Sequence, residues 1–136
     1  MRVTLDAGAF APVREHKTDA GLDIKSPVDF MVEAGGAAVI DTGIHIELPP
    51  STVGLLKSKS GLNVRFGILS EGVVDEGYTG SVKAKLYNHG KLPVAFHRGD
   101  KITQLVVMPV RYESVEIVEH LEDTERGTNG FGSTGR

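Results

Sequence analysis

Five short segments of this 136-residue chain combine glycine with polar side chains that can do chemistry. In the first, Asp19 and Asp23 place two carboxylates four residues apart, which suits a hydrated cation or two turn-capping residues. In the second, Lys57 to Gly61 offers ammonium groups, hydroxyls and open backbone, which suit phosphate oxygens. This segment lacks the GxxxxGK[ST] spacing of a Walker loop, so a solvated basic loop is the alternative.

The third and fourth segments carry an acid and an amide. Asp75 follows two valines, so it either ends a strand or serves as a partly buried carboxylate that activates water, with Tyr78 as a flat wall beside it. In the segment from Arg98 to Gln104, turn chemistry explains every residue except Gln104. That amide lies in an otherwise apolar run and needs a hydrogen-bond partner.

The fifth segment is the tail from Arg126 to Arg136, which holds four glycines and one phenylalanine. This composition cannot build a strand or helix core, so a frayed terminus is one interpretation. However, Phe131 is costly to leave in water, and a glycine-rich segment can present several backbone N–H groups to an anion. The alternative is an anion-binding arm.

Composition excludes several classes of protein. The chain has no cysteine, which excludes disulfides, thiolate metal sites and cysteine nucleophiles. The five histidines have no metal-site spacing, and no G-x-S-x-G nucleophile motif occurs. A net charge of −3 and an aromatic content of 6% argue against a nucleic-acid partner. No apolar run is long enough for a membrane span and the start lacks a signal-peptide core, so we expect a cytoplasmic protein without a membrane partner.

The elements that must position these segments are strands. Apolar and polar residues alternate over 28–32, 44–48, 82–87 and 92–96, as in half-buried strands, and 102–107 and 115–120 are further candidates. Turn residues at Asn88 to Gly90 predict a hairpin between two of these runs. A short helix is possible only after Ser60. The pattern predicts a single all-β domain over 1–121, a sandwich or barrel, followed by a flexible glycine-rich arm over 122–136.

Taken together and in order, the five segments resemble the trimeric dUTPases over nearly the whole chain. The family patterns AGxDL, RSGL, GVIDxxYxG, GDRIAQL and RGxGGFGSTG are matched by Ala20–Ile24, Lys59–Leu62, Gly72–Gly80, Gly99–Leu105 and Arg126–Gly135. The resemblance implies a distorted β jelly roll that forms a homotrimer, with three active sites shared between chains. The implied reaction is dUTP plus water giving dUMP and pyrophosphate with Mg²⁺, which keeps uracil out of DNA and supplies dUMP for dTMP synthesis.

The resemblance also implies residue roles. Asp75 would activate the water that attacks the α-phosphorus, and Asp23 would hold the Mg²⁺–triphosphate through metal-bound waters. Tyr78 would pack on the deoxyribose, and the hairpin from Val73 and Val74 to Lys83 would recognise uracil. The phosphates would be bound by Lys59, Ser60, Gly61 and Gln104, while in the tail Phe131 would stack on uracil and Arg126, Gly132, Ser133 and Thr134 would close on the terminal phosphate.

Three positions depart from the family pattern. Lys59 and Lys101 stand where the family has arginine, which replaces a planar fork by a point charge. Asn129 stands where the family has glycine. Three other functions compete with dUTP hydrolysis: a dCTP deaminase-like enzyme of the same fold, a nucleotide-gated interaction protein that uses the same pocket and tail without catalysis, and a plain β-sandwich binding module.

Overall fold

The computed structural model describes residues 1–130, and Phe131 to Arg136 lie outside the described residues. Most of the regular structure is β-strand, as the sequence predicts. In chain order the elements are β1 Arg2–Leu5, β2 Gly21–Lys25, β3 Phe30–Val32, β4 Ala37–Glu47, β5 Thr52–Lys57, α1 Ser60–Phe66, β6 Ile68–Val74, β7 Ser81–Asn88, β8 Val94–Phe96 and β9 Lys101–Pro109.

The strands form one curled antiparallel sheet of seven strands and one two-stranded sheet. The order in the large sheet is β1-β4-β7-β6-β5-β9-β2, and β3 pairs with β8 in the small one. β6 joins the two halves of the large sheet. Its first part pairs with β7 through Ser70, and its second part pairs with β5 from Glu71 onward. This jelly-roll-like β fold agrees with the predicted class.

Two apolar clusters fill the interior. One gathers buried side chains of β2, β4, β5 and β9, among them Ile24, Ile46 and Leu105. The other lies between the two sheets and includes Ile68, Leu86 and Phe96. The alternation read from the sequence is seen in β7, where Val82, Ala84 and Leu86 are buried and the residues between them are exposed. Burial of these side chains is the main force that holds the sheet together.

The predicted hairpin at Asn88 to Gly90 is wrong. β7 and β8 do not pair with each other, because β8 crosses to β3 in the other sheet. The cause is Asn88, which is fully buried and donates from its side-chain amide to the carbonyl oxygens of Val32 and Leu92. These bonds turn the chain out of the plane of the large sheet, whereas a hairpin would have kept it there.

The expected strand at 115–120 is also absent, and the last strand within residues 1–130 ends at Pro109. Val115 and Ile117 are 92% and 95% exposed, so the apolar alternation that predicted a strand has no sheet edge beside it in this chain. The short helix that the sequence allows after Ser60 is present as α1, and Gly67 caps its C-terminus with a φ of 70°. No helix in residues 1–130 has both the length and the apolar character that a membrane crossing needs.

Candidate functional site

A cluster of opposite charges lies where β2 and β9 pair, next to the end of β5. Asp23 is 8% exposed, and its two carboxylate oxygens accept hydrogen bonds from Lys59 and Lys101, the latter at 2.8 Å. Lys101 also donates to Glu15 at 2.8 Å. Burial by itself would raise the pKa of Asp23, but the bonds from Lys101 and Lys59 outweigh it and hold the pKa below its usual value. Asp23 and then Glu15 raise the pKa of Lys101.

Gln104 completes this group, which we call the lysine–aspartate cluster: Glu15, Asp23, Lys59, Lys101 and Gln104. The expected partner of the Gln104 amide is the Ser58 carbonyl oxygen, to which Nε2 donates at 3.0 Å. Asp23 lies opposite Gln104 in the β2–β9 register. A Cβ added at Gly21 would lie 2.1 Å from Gln104 Oε1, so any other residue at this position would force the Gln104 amide to move. The cluster lines an open cavity of about 380 Å³.

The loop that carries Lys59, Ser60 and Gly61 is fixed by its neighbour Ser58. The Ser58 hydroxyl accepts from the Ser70 N–H at 2.9 Å and donates to the Ser70 carbonyl, which ties the loop to β6. Ser60 and Gly61 begin α1 and are exposed. A Cβ added at Gly61 would meet no atom within 4 Å, so its surroundings are open for a ligand.

Asp75 and Tyr78 lie elsewhere, in the segment over 75–80 that we call the β6–β7 loop. Val73 and Asp75 are exposed in this chain and Val74 is buried, so the expected partial burial of Asp75 is not found. Tyr78 donates to the Ser81 carbonyl at 3.0 Å, and its ring lies along the backbone, because a Cβ at Gly80 would be 2.4 Å from the Tyr78 hydroxyl. The lack of a side chain at Gly80 therefore leaves room for the flat ring beside the loop.

The arms of this loop diverge toward its tip. β6 and β7 pair only at Ile68–Ser70 with Leu86–Asn88, and closer to the loop each arm pairs with a different strand. The expected hairpin is therefore open at its end. Lys83, a predicted substrate contact, donates to Asp41 at 2.8 Å. Bonds from Lys83, Ser81 and the Gly43 N–H lower the pKa of Asp41 to about 2.

The lysine–aspartate cluster and the β6–β7 loop lie at opposite ends of β5. Gln104 pairs with Lys57 at one end, whereas Val74, the residue before Asp75, pairs with Gly54 toward the other. Asp75 lines a separate cavity with Val53, which is four residues and roughly 13 Å from Lys57 at the usual strand rise. Within residues 1–130, one chain therefore does not bring the predicted catalytic aspartate to the predicted phosphate-binding residues.

Of the predicted tail contacts, only Arg126 lies within the described residues. Arg126 donates from Nε to the Asn129 carbonyl at 3.1 Å, within its own turn. The predicted contacts Phe131, Gly132, Ser133 and Thr134 lie outside the described residues. Over the described part of the chain, no three histidine or acidic side chains group closely enough to hold a metal ion by themselves.

Sequence reasoning misses Glu15 and Lys101 as members of the cluster. For Lys101 a usable signal exists, because it lies three residues before Gln104 within the same motif, at the start of the same strand. Glu15 carries no signal, because it lies outside the regular elements and meets Lys101 only through the tertiary fold.

Comparison with known proteins finds relatives over nearly the whole chain. The dUTPase family model matches residues 8–135. A deoxyuridine 5'-triphosphate nucleotidohydrolase of Clostridium acetobutylicum is 44% identical over 134 residues, covering 96% of this chain and 92% of the relative. One of Gloeothece citriformis is 43% identical, covering 99% and 96%.

Solved structures agree. The dUTPase of Staphylococcus bacteriophage 80alpha with dUpNHpp superposes with a TM-score of 0.92 at 30% identity and covers 99% of this chain and 98% of that one. A mutant dUTPase from a Staphylococcus aureus phage, phi11, described with a structural Mg(II) ion, has a TM-score of 0.81 at 29% identity, covering 90% and 98%.

Proposed function

We propose how this chain, which belongs to the dUTPase family and hydrolyses dUTP to dUMP and pyrophosphate, carries out the reaction. The site is shared between chains of a homotrimer: the lysine–aspartate cluster of one chain binds the triphosphate, and the β6–β7 loop of another supplies Asp75 and Tyr78. The observation that carries this proposal is the separation of the two groups at opposite ends of β5.

The exposed carboxylate of Asp75 acts as the general base. A neighbouring chain that covers the loop would desolvate Asp75 and orient one water against the α-phosphorus. Asp75 takes the proton as the water oxygen bonds to phosphorus, and pyrophosphate leaves. Tyr78 packs against the sugar, and Val73, Val74 and Lys83 frame the strands on either side of the uracil.

The triphosphate is held by charge and by hydrogen-bond donors. Lys59 exchanges its contact with Asp23 for a phosphate oxygen, while Ser60, Gly61 and the Gln104 amide donate to others. Arg126, Gly132, Ser133 and Thr134 of the tail close on the terminal phosphate, with Phe131 stacked on the uracil. The closed tail excludes water other than the nucleophile.

The donor set of the cluster fits Mg²⁺ that arrives with the nucleotide. Mg²⁺ commonly keeps several waters and uses one or two carboxylates together with substrate phosphates. Asp23 offers one buried carboxylate whose charge is already balanced by ammonium groups, which suits contact through metal-bound water. When bound, the ion offsets charge that develops on the leaving pyrophosphate.

Mixed trimers test the shared site. Asp75→Asn and Lys59→Ala chains, each nearly inactive alone, are unfolded together, refolded and assayed for pyrophosphate release from dUTP. If a site draws on two chains, random mixing returns about one intact site in four. A site contained in one chain restores none, because each chain then carries its own defect; each variant refolded alone is the control.

Substrate choice is checked in parallel. Pyrophosphate release is measured with dUTP, dCTP, dTTP and UTP, with and without Mg²⁺. Hydrolysis of dUTP alone, and faster with Mg²⁺, supports the assigned pocket. Ammonia release from dCTP would favour the deaminase-like alternative.

A further inference from the structure

A histidine on β4 reaches the tip of the β6–β7 loop. His45 lies opposite Ser81 in the β4–β7 register, where this pairing ends. Its Nδ1 is 2.8 Å from the Thr79 carbonyl oxygen, and its Nε2 is 3.2 Å from Asp6 Oδ1. Thr79 lies between Tyr78 and Gly80, so this contact acts on the backbone that carries the tyrosine ring.

The loop depends on such tethers because its arms do not pair with each other near the tip. The base of the β7 arm is anchored to a bulge in β4: Thr42 donates to the Val82 carbonyl at 2.6 Å, and the Gly43 N–H donates to the Ser81 hydroxyl at 3.1 Å. Gly43 has a φ of 65° and leaves no room for a Cβ beside Ala9. His45 extends this anchoring to Thr79.

Both partners of His45 can only accept. A carbonyl oxygen and a carboxylate oxygen each require a donor, and only the imidazolium form donates from both ring nitrogens. The neutral ring keeps one bond and leaves a lone pair facing Asp6 or Thr79. The tether is therefore complete in the charged form and half made in the neutral form.

We propose that His45 is a positioning residue for dUTP binding, whose protonation tightens the Thr79 end of the β6–β7 loop and so fixes Tyr78 against the substrate. The proposal rests on the proposed role of this loop. It assigns no contact between His45 and the nucleotide.

The surrounding charges favour the protonated form. Asp6 follows β1 and faces Nε2 directly, and Asp41 of β4 adds attraction although it is paired with Lys83. Arg2 and Glu47, which share a small surface cavity with His45, pair with each other. The Thr79 carbonyl and then Asp6 raise the pKa of His45 above its usual value, so the tether is complete at acidic pH and loosens as the pH rises through that pKa.

The test compares wild type with Asp6→Asn and His45→Gln. The asparagine amide of the first variant can donate to Nε2 of the neutral ring, so the tether no longer needs the proton, while the backbone bond from Asp6 to Gly43 is kept. We expect KM for dUTP in wild type, divided by that of Asp6→Asn at each pH, to rise by about 3- to 10-fold from pH 6 to pH 8.5, the usual worth of one hydrogen bond. kcat changes little.

An independent readout is the imidazole titration of His45 by NMR. The midpoint of the KM ratio coincides with this pKa, which falls in Asp6→Asn. The KM of His45→Gln for dUTP is higher than that of wild type, and it does not show the pH-dependent change that the imidazole causes. His97→Gln is the matched control, because His97 lies 3.8 Å from Asp29 in a comparable pair without contact to the loop, and it follows wild type.

Tyr78→Ala distinguishes a failure of the proposed His45 role from a failure of the proposed role of the β6–β7 loop. If Tyr78→Ala raises KM but His45→Gln does not, or if the KM ratio is flat with pH, the role of His45 is wrong and the loop's role stands. If Tyr78→Ala leaves KM unchanged, the loop does not bind substrate and both proposals fail.

Discussion

Asp23 lies in β2 and Asp75 directly follows β6, and their surroundings suit them to different chemical roles. Asp23 is buried and already neutralised by Lys59 and Lys101, so it suits the handling of a charged nucleotide–metal complex. Asp75 is exposed in the single chain and, among residues 1–130, pairs with no cation. An unneutralised carboxylate is a better proton acceptor once it is desolvated.

Asp75→Asn keeps the shape of the side chain and removes the base. We expect dUTP turnover to fall by about 10²–10⁴-fold, the range typical of a general base, while dUTP still binds. Single-turnover hydrolysis and equilibrium binding are the measurements. Glu76→Gln is the matched control, since the amide oxygen can still accept from Ser51 and Tyr112; a rate for Asp75→Asn within a few-fold of this control contradicts the role.

Asp23→Asn removes the charge that both lysines share. We expect the Mg²⁺ concentration for half-maximal hydrolysis to rise and kcat/KM to drop, because the amide attracts metal-bound water less than a carboxylate does. Asp19→Asn is the control: Asp19 lines the same cavity but caps the His16 N–H at 3.0 Å instead of binding a lysine. Equal Mg²⁺ dependence in the two variants would contradict a role for Asp23 in binding the metal.

At the level of secondary structure, the strands and the segment that follows β9 differ in regular structure and in burial. β4 and β9 are the longest strands, and β4, β5 and β9 are each paired on both sides and carry buried core residues, so they give a rigid base for the polar side chains at their ends. Residues 110–130 contain no strand or helix and are largely exposed. A catalytic role for that segment requires a ligand or a second chain to order it.

Truncation after Glu125 tests the tail as a lid. Ordering a backbone residue costs roughly 1–2 kcal/mol, which bound nucleotide would offset. We therefore expect truncation to leave the melting temperature nearly unchanged and to reduce kcat/KM for dUTP severely. A large drop in melting temperature would instead make the tail a structural arm between chains, and unimpaired hydrolysis would make it a frayed end.

Phe131→Ala separates the aromatic from the rest of the tail. Loss of a base–aromatic stack costs about 1–3 kcal/mol in other proteins, and we expect a weakening of kcat/KM in that range. Phe66→Ala on α1 is the matched control, since Phe66 is half exposed and is not among the predicted contacts. Similar kinetics for the two variants would argue against stacking on uracil.

At the level of the whole molecule, the proposed shared site implies that one chain does not form a complete active site. Its two polar groups lie apart at opposite ends of β5, and the apolar side chains Val115, Ile117 and Leu121 are exposed. A large exposed apolar surface is one mark of an interface with another protein chain. A homotrimer answers both features, because each neighbour can cover apolar residues and complete a site.

Light scattering measures the assembly directly. We expect a mass near three times 14.5 kDa at working concentrations. We expect Ile117→Asp, which places a charge at an exposed apolar position that the proposed trimer would cover, to lower the mass and the activity together. Val64→Asp on α1 is the control, because Val64 is 85% exposed but lies outside the C-terminal segment; a fully active monomer of wild type would contradict the shared site.

The sequence alone predicts the all-β class, strands at β3, β4, β7, β8 and β9, and the five polar segments, but it misses β1, β2, β5 and β6. It also determined that Gln104 needs a partner within the protein. These features depend on local patterns: period-two alternation, turn residues, and motif spacing along one chain. The resemblance to dUTPases rests on the same kind of information, and the family match over residues 8–135 confirms it without reference to any contact.

Which elements meet depends on the tertiary fold. Alternation tells which face of a strand is buried but not which strand lies beside it, so β8 pairs with β3 where a hairpin was expected, and 115–120 forms no strand within one chain. Long-range register likewise brings Asp23 to Lys59 and Lys101, joins His45 to Thr79, and separates Asp75 from the phosphate-binding residues. Such contacts depend on how distant segments pack together, which no local pattern encodes.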